Sequence, residues 1–216
     1  MNFTEYEIVP LGVNCSTAHF LRRQNLRKTA YPFDWIVAPI SSVADLINDS
    51  FFDYFTEKNF VYLPVVQRTL YNEDGSALEV SETLVTPVIC KKYKLLFPHD
   101  FPENVSGEFS RVKQKYCRRL ERFQSLLNSK KKILFIVNFG SNEVNEWQLE
   151  QYRLAGVECP MDSGEDVRRL HQIITTNYSQ LDFEIITFSR FKKKYLFFKR
   201  WRRFMTLFGL RNEEAR

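Results

Sequence analysis

Histidine, cysteine and glycine are all scarce: the 216-residue chain holds three, four and seven of them. The cysteines, Cys15, Cys90, Cys117 and Cys159, lie far apart and form no CxxC pair. That excludes a dense disulfide scaffold and a clustered zinc site, so they read as free thiols and no metal is expected. There is no recognisable Gly-rich phosphate loop, so no cofactor is expected either. An apolar run of about 18 residues is also missing, which excludes an ordinary membrane-crossing helix. The opening MNFTEYE lacks the basic and apolar regions of a secretion signal, and the expected compartment is the reducing cytoplasm.

What is present suits one globular domain with a substantial core: 44% of residues are hydrophobic and 15% aromatic. The formal net charge of +5 is unevenly spread. Residues 190–203 (RFKKKYLFFKRWRR) contain eight basic residues and no acid, while the remainder carries 23 basic against 26 acidic residues. The positive character belongs to one terminal segment.

Periodicity gives an α/β reading. Residues 6–11 (YEIVPL) form a first strand and 15–24 a helix; a second helix runs over 41–48 with a serine cap. Residues 60–97 alternate or carry β-branched side chains, with 72–75 (NEDG) as a hairpin turn, and read as an inserted β-rich region. Residues 106–128 show the clearest helical spacing, through Phe109, Val112, Tyr116, Leu120, Phe123 and Leu127, with Ser106 as cap. The runs 133–139 and 182–188 read as buried strands, and 143–154 and 164–176 as helices. The expectation is a mostly parallel central sheet flanked by helices.

The chemistry-bearing stretch is VPLGVNCSTAHFL, residues 9–21, where a strand ends in a small turn and Cys15 opens a helix. Ligand sites in parallel sheets lie at the carboxyl ends of strands, and Cys15 follows such an end. The N-terminus of a helix carries partial positive charge and outward N–H groups, which bias a thiol toward thiolate and suit an oxyanion. Asn14 and Ser16 are helix-capping residue types. The alternative is a small residue packing the strand-to-helix turn.

Asp34 stands between Phe33 and Trp35, either capping the next turn or orienting a polar partner in a dry pocket. His99 and Asp100 follow Pro98 in an apolar run. This is the composition of a general base beside an acid that fixes its tautomer, or of a surface turn. His19, one helical turn after Cys15, reads as a packing or surface residue, and His171 sits on an ordinary amphipathic helix. The cationic face of 111–122 is solvated, or meets phosphates.

Three motifs in order, LGVNCSTAHFLRRQNLRKTAYPFDWI, FPHDF, and KYCRRLERFQSLL with KKILFIVNF, resemble the bacterial papain-like cysteine peptidase family catalogued as domain of unknown function 1796. The resemblance covers roughly residues 5 to 190, leaving 191–216 as a basic aromatic tail. It implies a Cys-His hydrolase in which Cys15 matches the family's cysteine, His99 its histidine and Asp100 the adjacent acid, and Asp34 lies in the matching PFDW motif; together with the residue reading, Asn14, Ser16, Asp34 and Trp35 are expected to support the site. The same constellation also runs acyl transfer. The alternative is a cysteine-dependent acyltransferase of surface-polysaccharide assembly using coenzyme A, with acyl or glycan substrates in place of peptides. A third reading is a scaffold or peripheral membrane protein whose cysteine is silent.

The tail bears on the last reading. Lys192, Lys193, Lys194, Lys199, Arg200, Arg202 and Arg203 alternate with aromatics that include Trp201, the make-up of an interfacial helix on an anionic membrane. A C-terminal helix docked on the sheet with a basic outer face fits the same residues. Nucleic acid fits less well, since no recognition motif accompanies the basic stretch and the rest of the chain is slightly acidic.

Overall fold

A computed structural model describes residues 3–13, 15–68, 83–101, 108–140 and 143–207, the side chains of 68, 83 and 201–207 excepted. Its strands are β1 (Tyr6–Gly12), β2 (Phe60–Tyr62), β3 (Val66–Arg68), β4 (Thr83–Val85), β5 (Val88–Cys90), β6 (Leu95–Phe97), β7 (Lys132–Asn138) and β8 (Phe183–Thr187). The helices are α1 (Ser16–Arg23), α2 (Ile40–Asn48), α3 (Glu108–Leu127), α4 (Glu146–Leu154), α5 (Gly164–Asn177) and α6 (Phe188–Leu207). The expected hairpin turn at 72–75 and the Ser106 cap lie outside the described residues.

The central sheet is parallel in the order β1-β7-β8, with Tyr6 to Gly12 registered on Lys132 to Asn138 and Ile133 to Val137 on Phe183 to Thr187. Parallel strands covered on both faces must be apolar on both, which is why β1 and β7 read as continuous apolar runs. Val9, Leu11, Ile133, Phe135 and Val137 face a core shared with α2, α3 and α5. Ile8, Leu134, Ile136 and Ile186 face the opposite way, toward Leu21 of α1 and Phe191 of α6. Pro10, which cannot donate to a ladder, is tolerated because β1 is an edge strand.

The β-rich region forms an antiparallel sheet, β2-β5-β6, and a separate β3-β4 pair. Two isolated bridges, Gly12 with Ala38 and Val37 with Leu96, both antiparallel, splice the small sheet onto the end of β1. The links are Ala38 N–H to the Gly12 carbonyl (3.0 Å) and a reciprocal pair between Val37 and Leu96 (2.9 and 3.1 Å).

Three local readings are corrected. The strand 182–188 is only half-buried, because β8 is the outer edge of its sheet and leaves Glu184 exposed, hydrogen-bonded to Tyr6 Oη at 2.6 Å. The serine cap of α2 is replaced by a distant one. Pro39 occupies the cap position, and Asp162 reaches in to accept from the Ile40 and Ser41 amides (2.5 and 3.1 Å) and the Ser41 hydroxyl (2.7 Å). The helix expected from 143 starts at Glu146, where Asn145 and Gln148 form a capping box.

Gly12 joins the central sheet to the turn before Cys15. Its φ is +141°, and a Cβ there would collide with the Asn138 carbonyl oxygen. Gly12→Ala therefore meets both backbone strain and a backbone atom unable to withdraw. It is expected to cost about 2 kcal/mol or more in urea unfolding; a loss within experimental error would show that the turn relaxes freely.

Candidate functional site

Cys15 is half-buried and occupies the N-cap position of α1, with helical backbone angles and no side-chain cap bond of its own. Ser16 lies in the first turn of α1, one residue past the N-cap, and its hydroxyl accepts from Asn138 Nδ2 at 3.2 Å. Asn14 lies outside the described residues.

The turn before the cysteine is held from two elements far away in sequence. Val13 donates its N–H to the Asn138 carbonyl at 3.3 Å and accepts from Gln148 Nε2 at 2.8 Å. Asn138, buried at the end of β7, also donates to Glu143 Oε2 at 2.9 Å. Sequence reasoning missed Asn138, Glu143 and Gln148. The signal for the first two was available, since polar NFGSNE follows directly on the apolar run 133–137, at a strand's carboxyl end.

Asp34 is fully buried and takes the second of its expected roles. Its Oδ2 accepts from Arg27 Nε at 2.7 Å and Arg27 Nη2 at 2.5 Å, and from the Tyr31 amide at 3.2 Å. Burial raises its carboxyl, and the Arg27 guanidinium opposes that shift. Arg27 also lies over the Trp35 ring at 5.2 Å, with Arg22 of α1 over the same ring at 5.5 Å and His19 edge-on at 4.9 Å. Asp34 and Trp35 thus brace α1 one turn beyond Cys15. His19 is lowered by burial first and then by Arg22, Arg23 and Arg27, so it is neutral near pH 7.

His99 is half-buried and follows β6. Val37–Ala38 is antiparallel to both β1 and β6, so those two strands run in the same sense. At the usual strand spacing they lie about 10 Å apart across this shared segment. Cys15 is three residues past Gly12 and His99 three residues past Leu96, so the two backbones leave from the same end of their sheets.

Asp100 turns toward α3. One carboxylate oxygen accepts from Tyr116 Oη at 2.7 Å, and the other is ion-paired with Lys115. Other cations on α3 are also engaged, Arg111 with Glu108 and Arg122 with the Ala30 carbonyl at 3.0 Å. His171 is exposed and rests against Phe183.

The family model described as "Putative papain-like cysteine peptidase (DUF1796)" matches residues 6–188. The chain belongs to this family. It is also similar to "Uncharacterized protein R408" of Acanthamoeba polyphaga mimivirus, 30% identical over 151 residues, which cover 66% of this chain and 66% of the viral protein. That relative is viral and lends no support to the expected bacterial origin. No solved structure matches. The family description points to a peptidase-like enzyme as the general kind of function.

In this family member the expected boundary at residue 190 falls inside α6, whose first turns pack on the sheet through Phe188, Phe191 and Tyr195. Lys192, Lys193, Lys194, Lys199 and Arg200 are exposed on that helix, and the side chains of Trp201, Arg202 and Arg203 lie outside the described residues. Among the described residues, no helix is long and apolar enough to cross a membrane.

Removing one partner of a buried ion pair strands the other charge. Arg27 is 12% exposed and Asp34 fully buried, so Asp34→Ala is expected to cost about 3 kcal/mol in chemical unfolding. A change below about 1 kcal/mol, the worth of a surface pair, would contradict this assignment.

Proposed function

We propose that the protein is a cysteine hydrolase in which Cys15 attacks an acyl carbon and His99 acts as its base. The observation that supports this reading most is the common backbone segment Val37–Ala38, to which the strands carrying both residues are tied in the same sense. The position of Cys15 at a helix N-terminus adds to it, because the helix field favours the thiolate.

His99 removes the proton from Sγ, and the sulfur lone pair forms a bond to the substrate carbonyl carbon while the carbonyl π electrons move to oxygen. N–H groups of the first turn of α1 point out of the helix and hold that oxyanion. Collapse breaks the bond to the leaving amine, which takes its proton from His99, and leaves a thioester on Cys15. Water then attacks the thioester with His99 again as base, releasing the acid and restoring the thiol. A peptide is the substrate class that the family description suggests.

Asp100 serves as a positioning residue in this scheme. Its bonds to Lys115 and Tyr116 fix the loop after β6 against α3, and the imidazole travels with that loop. Asp34, through Arg27 and Trp35, does the same for α1.

Two of the other three thiols supply internal controls. Burial raises Cys90, and burial with the Asp162 charge raises Cys159 to about 11, so both stay protonated at neutral pH. At about pH 6.5, two units below an ordinary free thiol, a peptide electrophile should label Cys15 and spare both. His99→Ala should slow this labelling by about a hundredfold or more. Labelling of Cys15 no faster than a free thiol, or unchanged by His99→Ala, would remove the basis for the proposal. Tight coenzyme A binding with no peptide trapping would redirect it to acyl transfer.

A further inference from the structure

Half of α6 is committed to the fold. Phe191 is fully buried, with ring contacts to Phe3 at 5.1 Å and a stack on Tyr195 at 6.0 Å; Phe20 of α1 meets Phe188 at 5.6 Å. Lys199 donates to Gln24 at 3.0 Å, which fixes the helix alongside the end of α1. Residues 188, 191, 195 and 198 recur at three and four, so the opposite face carries Lys193, Leu196, Phe197 and Arg200, while Lys192 lies over the ring of Phe188 at 5.5 Å.

That outer face is unusual in its combination. Phe197 is 73% exposed and Leu196 45%, whereas Phe191 on the other side of the same helix is fully buried. Among the described residues no carboxylate pairs with Lys193 or Arg200, and positions 188–207 contain no acid. An exposed Leu–Phe pair flanked by cations suits a surface that meets anions laid over an apolar interior. A lipid bilayer has that layering. Nucleic acid offers the anions, but the aromatic projecting beside Leu196 favours insertion between acyl chains over a base-reading role.

We propose that the outer face of α6 is a docking surface for anionic membrane, with Leu196 and Phe197 entering the headgroup boundary while Lys193 and Arg200 lie on acidic headgroups. The inner face stays packed, so the domain docks without unfolding the helix. The inference is independent of the chemistry assigned to Cys15.

The test is co-sedimentation of the full chain with vesicles of equal parts phosphatidylglycerol and phosphatidylcholine, compared with pure phosphatidylcholine and with a single-stranded RNA. Partition should favour the anionic vesicles and collapse at high salt. Each cation replaced by glutamine, at Lys193 or Arg200, should weaken it about fivefold. Leu196→Ser with Phe197→Ser should weaken it at least tenfold while leaving the melting curve unchanged, because both side chains are exposed. Failure to sediment, equal binding to neutral vesicles, or tighter binding to RNA that survives the serine pair would each overturn the proposal.

Discussion

The arrangement depends on a short length of backbone hydrogen bonding. Gly12, at the last position of β1, accepts from Ala38, and Val37 exchanges two bonds with Leu96. These few bonds convert an edge of the parallel sheet into a junction with the antiparallel one, and set β1 and β6 running the same way. They need the backbone of Gly12 in a conformation that a side chain would obstruct against Asn138. The pairing proposed for Cys15 and His99 rests on that junction, because the two residues are over eighty positions apart in the chain.

Around the junction, polar side chains do the bracing. Asn138, Gln148 and Glu143 secure the turn leading to Cys15, while Asp34 and Arg27 hold Trp35 against the side of α1. Both assemblies are largely buried, where satisfied polar groups fix one geometry and unsatisfied ones are expensive. The cost is accepted on both flanks of the same short helix. Asp100 extends the bracing to α3, so the loops after β1 and β6 are each anchored to a different helix.

The fold was legible where burial dictates composition. The strand 133–138 is apolar because both its faces are covered, and α3 shows a clean apolar stripe because one face is not. Reading failed where the deciding partner lies far away in the chain. Nothing near Ile40 announces that Asp162 will cap its helix, and DFEIITF resembles a central strand until its place at the sheet edge is known. At the site, Cys15 was legible from strand, glycine and helix start, and Asp34 from its unusual company of aromatics. Asn138 could have been found by applying the strand-end rule to the second strand as well as the first. The partners of Asp100 could not, since Tyr116 and Lys115 read only as positions on a helix.

The most direct measurement of the central claim is a titration of the Cys15 thiolate by its ultraviolet absorbance, in a chain whose other three cysteines are serine, with and without His99→Ala. The account predicts a thiolate that persists below about pH 7 when His99 is present and shifts upward toward the ordinary value of about 8.5 when it is removed. A single transition near that ordinary value in both proteins would contradict it.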